Sequence, residues 1–169
     1  LNTATTDTFP QDLIDVAGNA WRLNGEGVLS WSVFKLYRAR LFVMGENFDA
    51  QQPFVLELSY LRTLTAQQIV STSIEEIKRL RGVSPDALKQ WSDALMRIVP
   101  DVVLGDRLVG WFRPGLGVKF YSATQALGVI DDAVFVESFS AIWLDEQTHS
   151  PSLRESLLGG ARATHVLGA

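Results

Sequence analysis

The chain contains no cysteine. Disulfides, thiolate-ligated metals and a thiol nucleophile are therefore excluded, although the compartment is not fixed by that absence. Histidine is scarce, with only His149 and His165 in 169 residues. Neither stands at ligand spacing with a carboxylate cluster, so no metal site is expected. Neither lies on the rigid element that a Ser-His-Asp triad requires. No apolar run reaches the roughly 18 residues of a membrane span. An excess of positive charge is also missing, the net charge being −4. The one dense basic run, Lys78 to Arg81, falls at the end of an expected helix, where cations complement the dipole. Nucleic acid is not an expected partner. A dinucleotide loop is lacking too, because Gly25-Glu26-Gly27 precedes a strand rather than a helix. No cofactor is expected.

What is present is the composition of a folded domain, 47% hydrophobic and 20% charged. The sequence divides into a polar extension over 1–20, one domain over 21–159 and an aperiodic tail over 160–169. Its opening run, LNTATTDT, has the look of a mature start after removal of a signal peptide, which gives the expectation of a periplasmic protein.

Alternation and punctuation place the elements. Residues 21–31 read as a strand with a bulge or tight bend at its two glycines, followed by strands over 33–44 and 54–62. Thr65 with Gln68 three residues on is a capping box. It opens a helix with Ile69, Val70, Ile74, Ile77 and Leu80 on one stripe, ending at Gly82. Ser84 and Pro85 start a second helix, in which Leu88, Trp91, Leu95 and Ile98 face inward before Pro100 stops it. A hairpin turns at Pro114 to Gly117, and a short strand covers 127–130. AVFVESFSAIWL predicts a helix burying Val134, Phe135, Phe139, Ile142 and Trp143, and Ser150-Pro151 starts a last short one. Asp131-Asp132 stands at a helix start, where anions are stabilising. The order of elements predicts an α+β fold, an antiparallel sheet with helices packed on one face.

The stretch FKLYRARLF, residues 34–42, is the anomaly. Period two puts Phe34, Leu36, Arg38, Arg40 and Phe42 on one face, and the other face (Lys35, Tyr37, Ala39, Leu41) is no cleaner. Arg62 likewise extends the stripe of Phe54, Leu56, Leu58 and Tyr60. Cations in apolar surroundings need partners. These arginines either pair with the protein's own carboxylates, such as Glu57, Glu75 or Glu76, or hold the carboxylate of an apolar ligand with help from Tyr37 or Tyr60. Trp91 and Trp143 are expected in the core, whereas Trp111 and Trp31 are open to either role.

LNGEGVLSW, FKLYRARLFV, LELSYLRTLTAQQI, LGDRLVGWFRPGLGVKFY, FSAIWL and a closing SLLG follow one another as in the bacterial chalcone isomerase-like family. The sequence resembles that family from Leu23 to Gly159. The resemblance implies an open-faced β-sandwich, a sheet backed by helices, shared with plant chalcone isomerases and plant fatty-acid-binding proteins. It also implies that the plant enzymes' catalytic arginine, threonine, tyrosine and asparagine fall at Leu29, Tyr37, Ile69 and Glu76. All four differ, so chalcone isomerase activity is not expected and no catalytic residue is assigned. The arginine of the plant fatty-acid-binding proteins shares the place of Leu29.

The leading expectation is a binding protein for a fatty acid or similar apolar carboxylate, held in a cleft between sheet and helices. Arg62, Arg40 or Arg38 would take the head group with Tyr60 or Tyr37, and Leu56, Leu58, Ile69 and Trp111 would line the tail. The alternatives are an isomerase or lyase on an enone-like substrate, using Tyr37 or Tyr60 as acid-base group, and a non-binding accessory protein. The oligomeric state and the sheet face that meets the helices are left open.

Overall fold

The computed structural model describes residues 9–17 and 20–160. Six strands form one antiparallel sheet whose spatial order is the order of the chain. They are β1 (Arg22–Trp31), β2 (Phe34–Val43), β3 (Phe54–Tyr60), β4 (Arg107–Arg113), β5 (Gly117–Tyr121) and β6 (Ala126–Ile130). The helices are α1 (Gln11–Ala17), α2 (Ala66–Leu80), α3 (Pro85–Ile98), α4 (Ala133–Leu144) and α5 (Pro151–Leu157). This is the expected α+β fold, with α2 to α5 on one face of the sheet. His165 and the tail beyond residue 160 lie outside the described residues, as do residues 1–8, 18 and 19 of the amino-terminal extension.

Local chemistry sets the helix starts. The Thr65 hydroxyl accepts from the Gln68 N–H, and the Gln68 side chain accepts from the Thr65 N–H, which completes the capping box of α2. Ser84 caps α3 ahead of Pro85. Asp132 accepts from the backbone N–H groups of Val134 and Phe135 at the start of α4. Its second oxygen accepts from the Trp91 indole at 3.0 Å and so ties α4 to α3. The Asp131-Asp132 pair thus builds a helix start.

The face of β2 that meets the helices carries Tyr37, Ala39, Leu41 and Val43, all buried. Phe54, Leu56, Leu58 and Tyr60 of β3 continue it, with Phe112, Val118 and Phe120 beyond. Rings fill the space under α4: Phe54 stacks on Phe112 at 4.7 Å, Phe112 on Phe139 at 5.9 Å and Phe139 on Phe135 at 5.0 Å. Helix α4 is apolar almost all round because it lies among α2, α5 and the sheet. One expected inward residue is corrected: Val134, in the first turn, is 54% exposed.

A smaller core covers the other face. Phe9, Leu13 and Trp21 pack on Phe42, Val55, Val109 and Tyr121, and the Trp21 indole donates to the Leu13 carbonyl at 2.9 Å. The sequence reading missed α1, whose seven residues offer too few apolar positions to show a period.

On β1 the register shifts at Asn24, as the expected bulge requires, and the Asn24 amide donates to the Leu157 carbonyl at 2.8 Å. The glycine beside it has a further reason. A β-carbon on Gly25 would lie 2.1 Å from the Ser156 carbonyl oxygen, so only glycine lets the end of α5 sit on the strand.

The arginines of β2 point away from the helices. Arg40 and Glu57 are cross-strand partners, and Arg107 is diagonal to Glu57 through its pairing with Ser59. Glu57 has no solvent exposure. Its Oε1 accepts from Arg40 Nε at 2.8 Å and from Arg40 Nη2, and its Oε2 accepts from Arg107 Nη1 at 3.2 Å. Deleting one member of such a group strands the other charges, whereas replacing the whole group by apolar residues removes the desolvation cost as well. Glu57→Ala is therefore expected to lower stability by about 3–5 kcal/mol in urea unfolding. The triple change Arg40→Met, Glu57→Leu, Arg107→Met should recover most of that loss.

Candidate functional site

The seven residues expected to bind a ligand divide between the two faces of the sheet. Tyr37 and Tyr60 face the helices, Ile69 packs on the same core from the first turn of α2, and Leu56 and Leu58 are buried beside them. Arg38, Arg40 and Trp111 lie on the other face. Arg40 is engaged with Glu57, and Arg38 lies 3.7 Å from Glu26 with both side chains about half exposed. Trp111 has Arg113 and Lys119 over its ring at 5.4 and 5.5 Å. Arg62 stands beyond the end of β3, exposed, with its guanidinium 4.6 Å from the centre of the Phe34 ring. The expected convergence of arginines and tyrosines on one cleft does not form.

Leu29, Tyr37 and Tyr60 make a row across β1, β2 and β3. Trp143 closes over it from α4, donating its indole N–H to the Tyr37 hydroxyl at 2.9 Å. The Tyr37 and Tyr60 rings meet edge to face at 5.6 Å. Burial pushes both phenols well above their usual pKa; the Trp143 bond pulls Tyr37 back only in part, and Tyr37 raises Tyr60 further. Both keep their protons near neutrality. With Leu29 and Ile69 apolar, the row offers a substrate little polar chemistry.

Glu76 is engaged as well. Arg79 binds it through Nε at 2.8 Å and Nη2 at 2.9 Å, and the His149 backbone N–H and Nδ1 lie at 3.1 and 3.0 Å. Arg79 also donates to the Gln147 carbonyl, so the cluster fastens α2 to the loop after α4.

Open space occurs at the opposite end of the sheet. A groove of about 510 Å³ runs between α4, the β2–β3 loop and the β4–β5 turn. Its lining mixes Phe48, Phe54, Val136 and Leu144 with Gln51, Glu137, Ser140 and Asp145. Arg81, the residue that ends α2, stands at its rim. Its guanidinium lies 3.8 Å from Asp145 and 4.0 Å from Glu137, with no side-chain hydrogen bond among the described residues. Donors are thus left to offer. The sequence reading passed over Arg81 because a cation at a helix end already has a local explanation. Its neighbour Arg79, two residues earlier, is taken by Glu76, and only the fold separates the two.

Burial raises the Glu76 carboxyl, but the Arg79 and His149 hydrogen bonds and charges outweigh it and hold the group below its ordinary value. A lowered carboxyl pKa contributes stability that is present above the unfolded-state value, about 4.3. That contribution is lost as pH falls through the folded-state value. Urea midpoints of the native chain and Glu76→Gln should therefore differ by a steady amount above the unfolded-state value and converge as pH falls through the lower folded-state value.

Three comparisons bear on this arrangement. The family model described as chalcone isomerase-like matches residues 3–159. An uncharacterised protein of Haemophilus influenzae is 26% identical over 146 residues, covering 86% of this chain and 71% of that protein. The crystal structure of a fatty-acid binding protein of Arabidopsis thaliana has a TM-score of 0.67 at 14% identity, over 86% of this chain and 90% of the plant chain. At that identity the likeness is one of fold. The chain belongs to the chalcone isomerase-like family.

Proposed function

We propose that the chain binds a fatty acid or similar apolar carboxylate in the groove between α4 and the sheet, without turning it over. The observation that supports this reading is the pairing of a groove of about 510 Å³, partly apolar, with a guanidinium in its lining that makes ion-pair contacts but no side-chain hydrogen bond among the described residues. Ligand pockets of roughly 300–1,000 Å³ with a few convergent polar groups are the usual form of such sites. Phe48 and Leu144 would hold the alkyl tail over the buried Phe54 and Val136, and Arg81 would take the head group in place of Glu137 and Asp145. The solved plant protein of the same fold is named for fatty-acid binding, which supports the ligand class.

A second reading, an accessory protein that binds no small ligand, is favoured by one observation. Trp143 and Tyr37 fill the place where the resemblance puts the plant proteins' polar pocket residues.

Native mass spectrometry of the protein, with palmitate added and with lipids carried through purification, separates the readings. Binding of a fatty-acid mass is expected, weakened about 10- to 100-fold in Arg81→Gln, as for loss of a charge-assisted hydrogen bond of about 1.5–3 kcal/mol. Arg62→Gln should bind as the native chain does. Loss in Arg62→Gln alone would move the head group to the other end of the sheet. No uptake at all would leave the accessory role.

A further inference from the structure

The end of the sheet away from the groove is unlike the rest of the surface. Strands β1 and β2 join there through two residues, Ser32 and Val33, with Ser32 at φ 56°. The turn pushes its apolar side chains outward: Trp31 is 73%, Val33 86% and Phe34 49% exposed. The segment between α3 and β4 reaches the same end, where Gly105 donates to the Tyr60 carbonyl and Leu61 to the Leu36 carbonyl, each at 2.9 Å. It presents Val103 and Leu104, 55% and 69% exposed. This second tip is held in shape. The Asp106 carboxylate accepts from the Val103 N–H at 2.9 Å, the Asp106 N–H donates back to the Val103 carbonyl, and Gly105 turns the chain at φ 96°. Five of the ten large apolar side chains exposed among the described residues are at this one end. Clustering of that kind, unlike scattered exposure, marks a contact surface.

Charge identifies the contact. Lys35 and Arg62 flank the hairpin tip, both exposed, in a chain whose net charge is −4. Glu26 is paired with Arg38 farther along the hairpin, and the Asp101 and Asp106 carboxylates are turned onto the backbone N–H groups of Ala66 and Val103. The shape is convex, two protruding turns rather than a groove or flat face, so it suits a soft surface that can be entered. Tryptophan favours the boundary between water and hydrocarbon, and cations beside it favour anionic head groups. We propose that the two turns dock this protein on anionic lipid bilayers, with Trp31, Val33 and Phe34 entering the head-group layer beside Val103 and Leu104. Lys35 and Arg62 would lie against lipid phosphates. The proposal is independent of the groove and of any ligand held there.

The test is co-sedimentation of the full chain with vesicles of mixed phosphatidylcholine and phosphatidylglycerol, alongside vesicles of phosphatidylcholine alone. Binding to the anionic vesicles is expected, weakened by salt. The double change Trp31→Ser, Val33→Ser should reduce partitioning by about tenfold or more, with an unchanged circular dichroism spectrum because neither side chain is in the core. Brominated lipid should quench the native fluorescence and spare Trp31→Phe. Failure of the native chain to sediment, or equal sedimentation of the double variant, would overturn the proposal. So would a native dimer in light scattering that the double variant dissolves, which would make the tip a contact between copies of this chain.

Discussion

A carboxylate with no access to water cannot stay charged unless cations reach it, and Glu57 is reached from both neighbouring strands. Arg40 comes from directly across β2 and Arg107 from the diagonal on β4. The clamp fixes more than a local contact. Side chains alternate along a strand, so a slip of one residue in β2 would turn Arg38 and Arg40 under the helices and carry Tyr37, Ala39 and Leu41 out to water. With the register held, the helices have one apolar face to cover. The aromatic layer beneath α4, and the groove at its edge, follow from that choice.

On the helix side, polar groups at the family's functional positions are turned inward on the protein itself. Tyr37 accepts from Trp143, and Glu76 is shared between Arg79 and His149. The row of Leu29, Tyr37 and Tyr60 on the sheet is closed by the Trp143 indole. The open groove lies farther along α4, toward Arg81. Membership of a fold family therefore says little about where along the sheet a ligand would sit.

Much of the fold was legible in the sequence because its signals are local. Thr65 with Gln68, Ser84 with Pro85, and the alternation of β3 each declare an element within a few residues. The sheet face that meets the helices was not legible, since both faces of residues 34–42 mix charged and apolar groups and the deciding partner, Glu57, lies 17 residues from Arg40. The candidate site was hidden for a similar reason. Arg79 and Arg81 look alike in sequence, and tertiary contacts alone give one to Glu76 and the other to the groove. Trp31 could not be assigned because alternation carries no information about depth at the tip of a hairpin. Helix α1 was missed because its apolar residues acquire meaning only against Phe42 and Val109 on distant strands.

The seat of α5 on β1 has a consequence for the order in which the molecule is completed. Adjacent strands follow one another along the chain, so most of the sheet can zip up through neighbours in sequence. The bond from Asn24 to Leu157 spans 133 residues, and the cradle at Gly25 stays empty until α5 arrives. Such a closure carries the loop entropy of nearly the whole domain and comes late. During synthesis β1 leaves the ribosome ahead of the rest of this sheet yet is secured by α5, which follows all six strands, so β1 waits with its bulge uncovered while the rest of the sheet forms beside it.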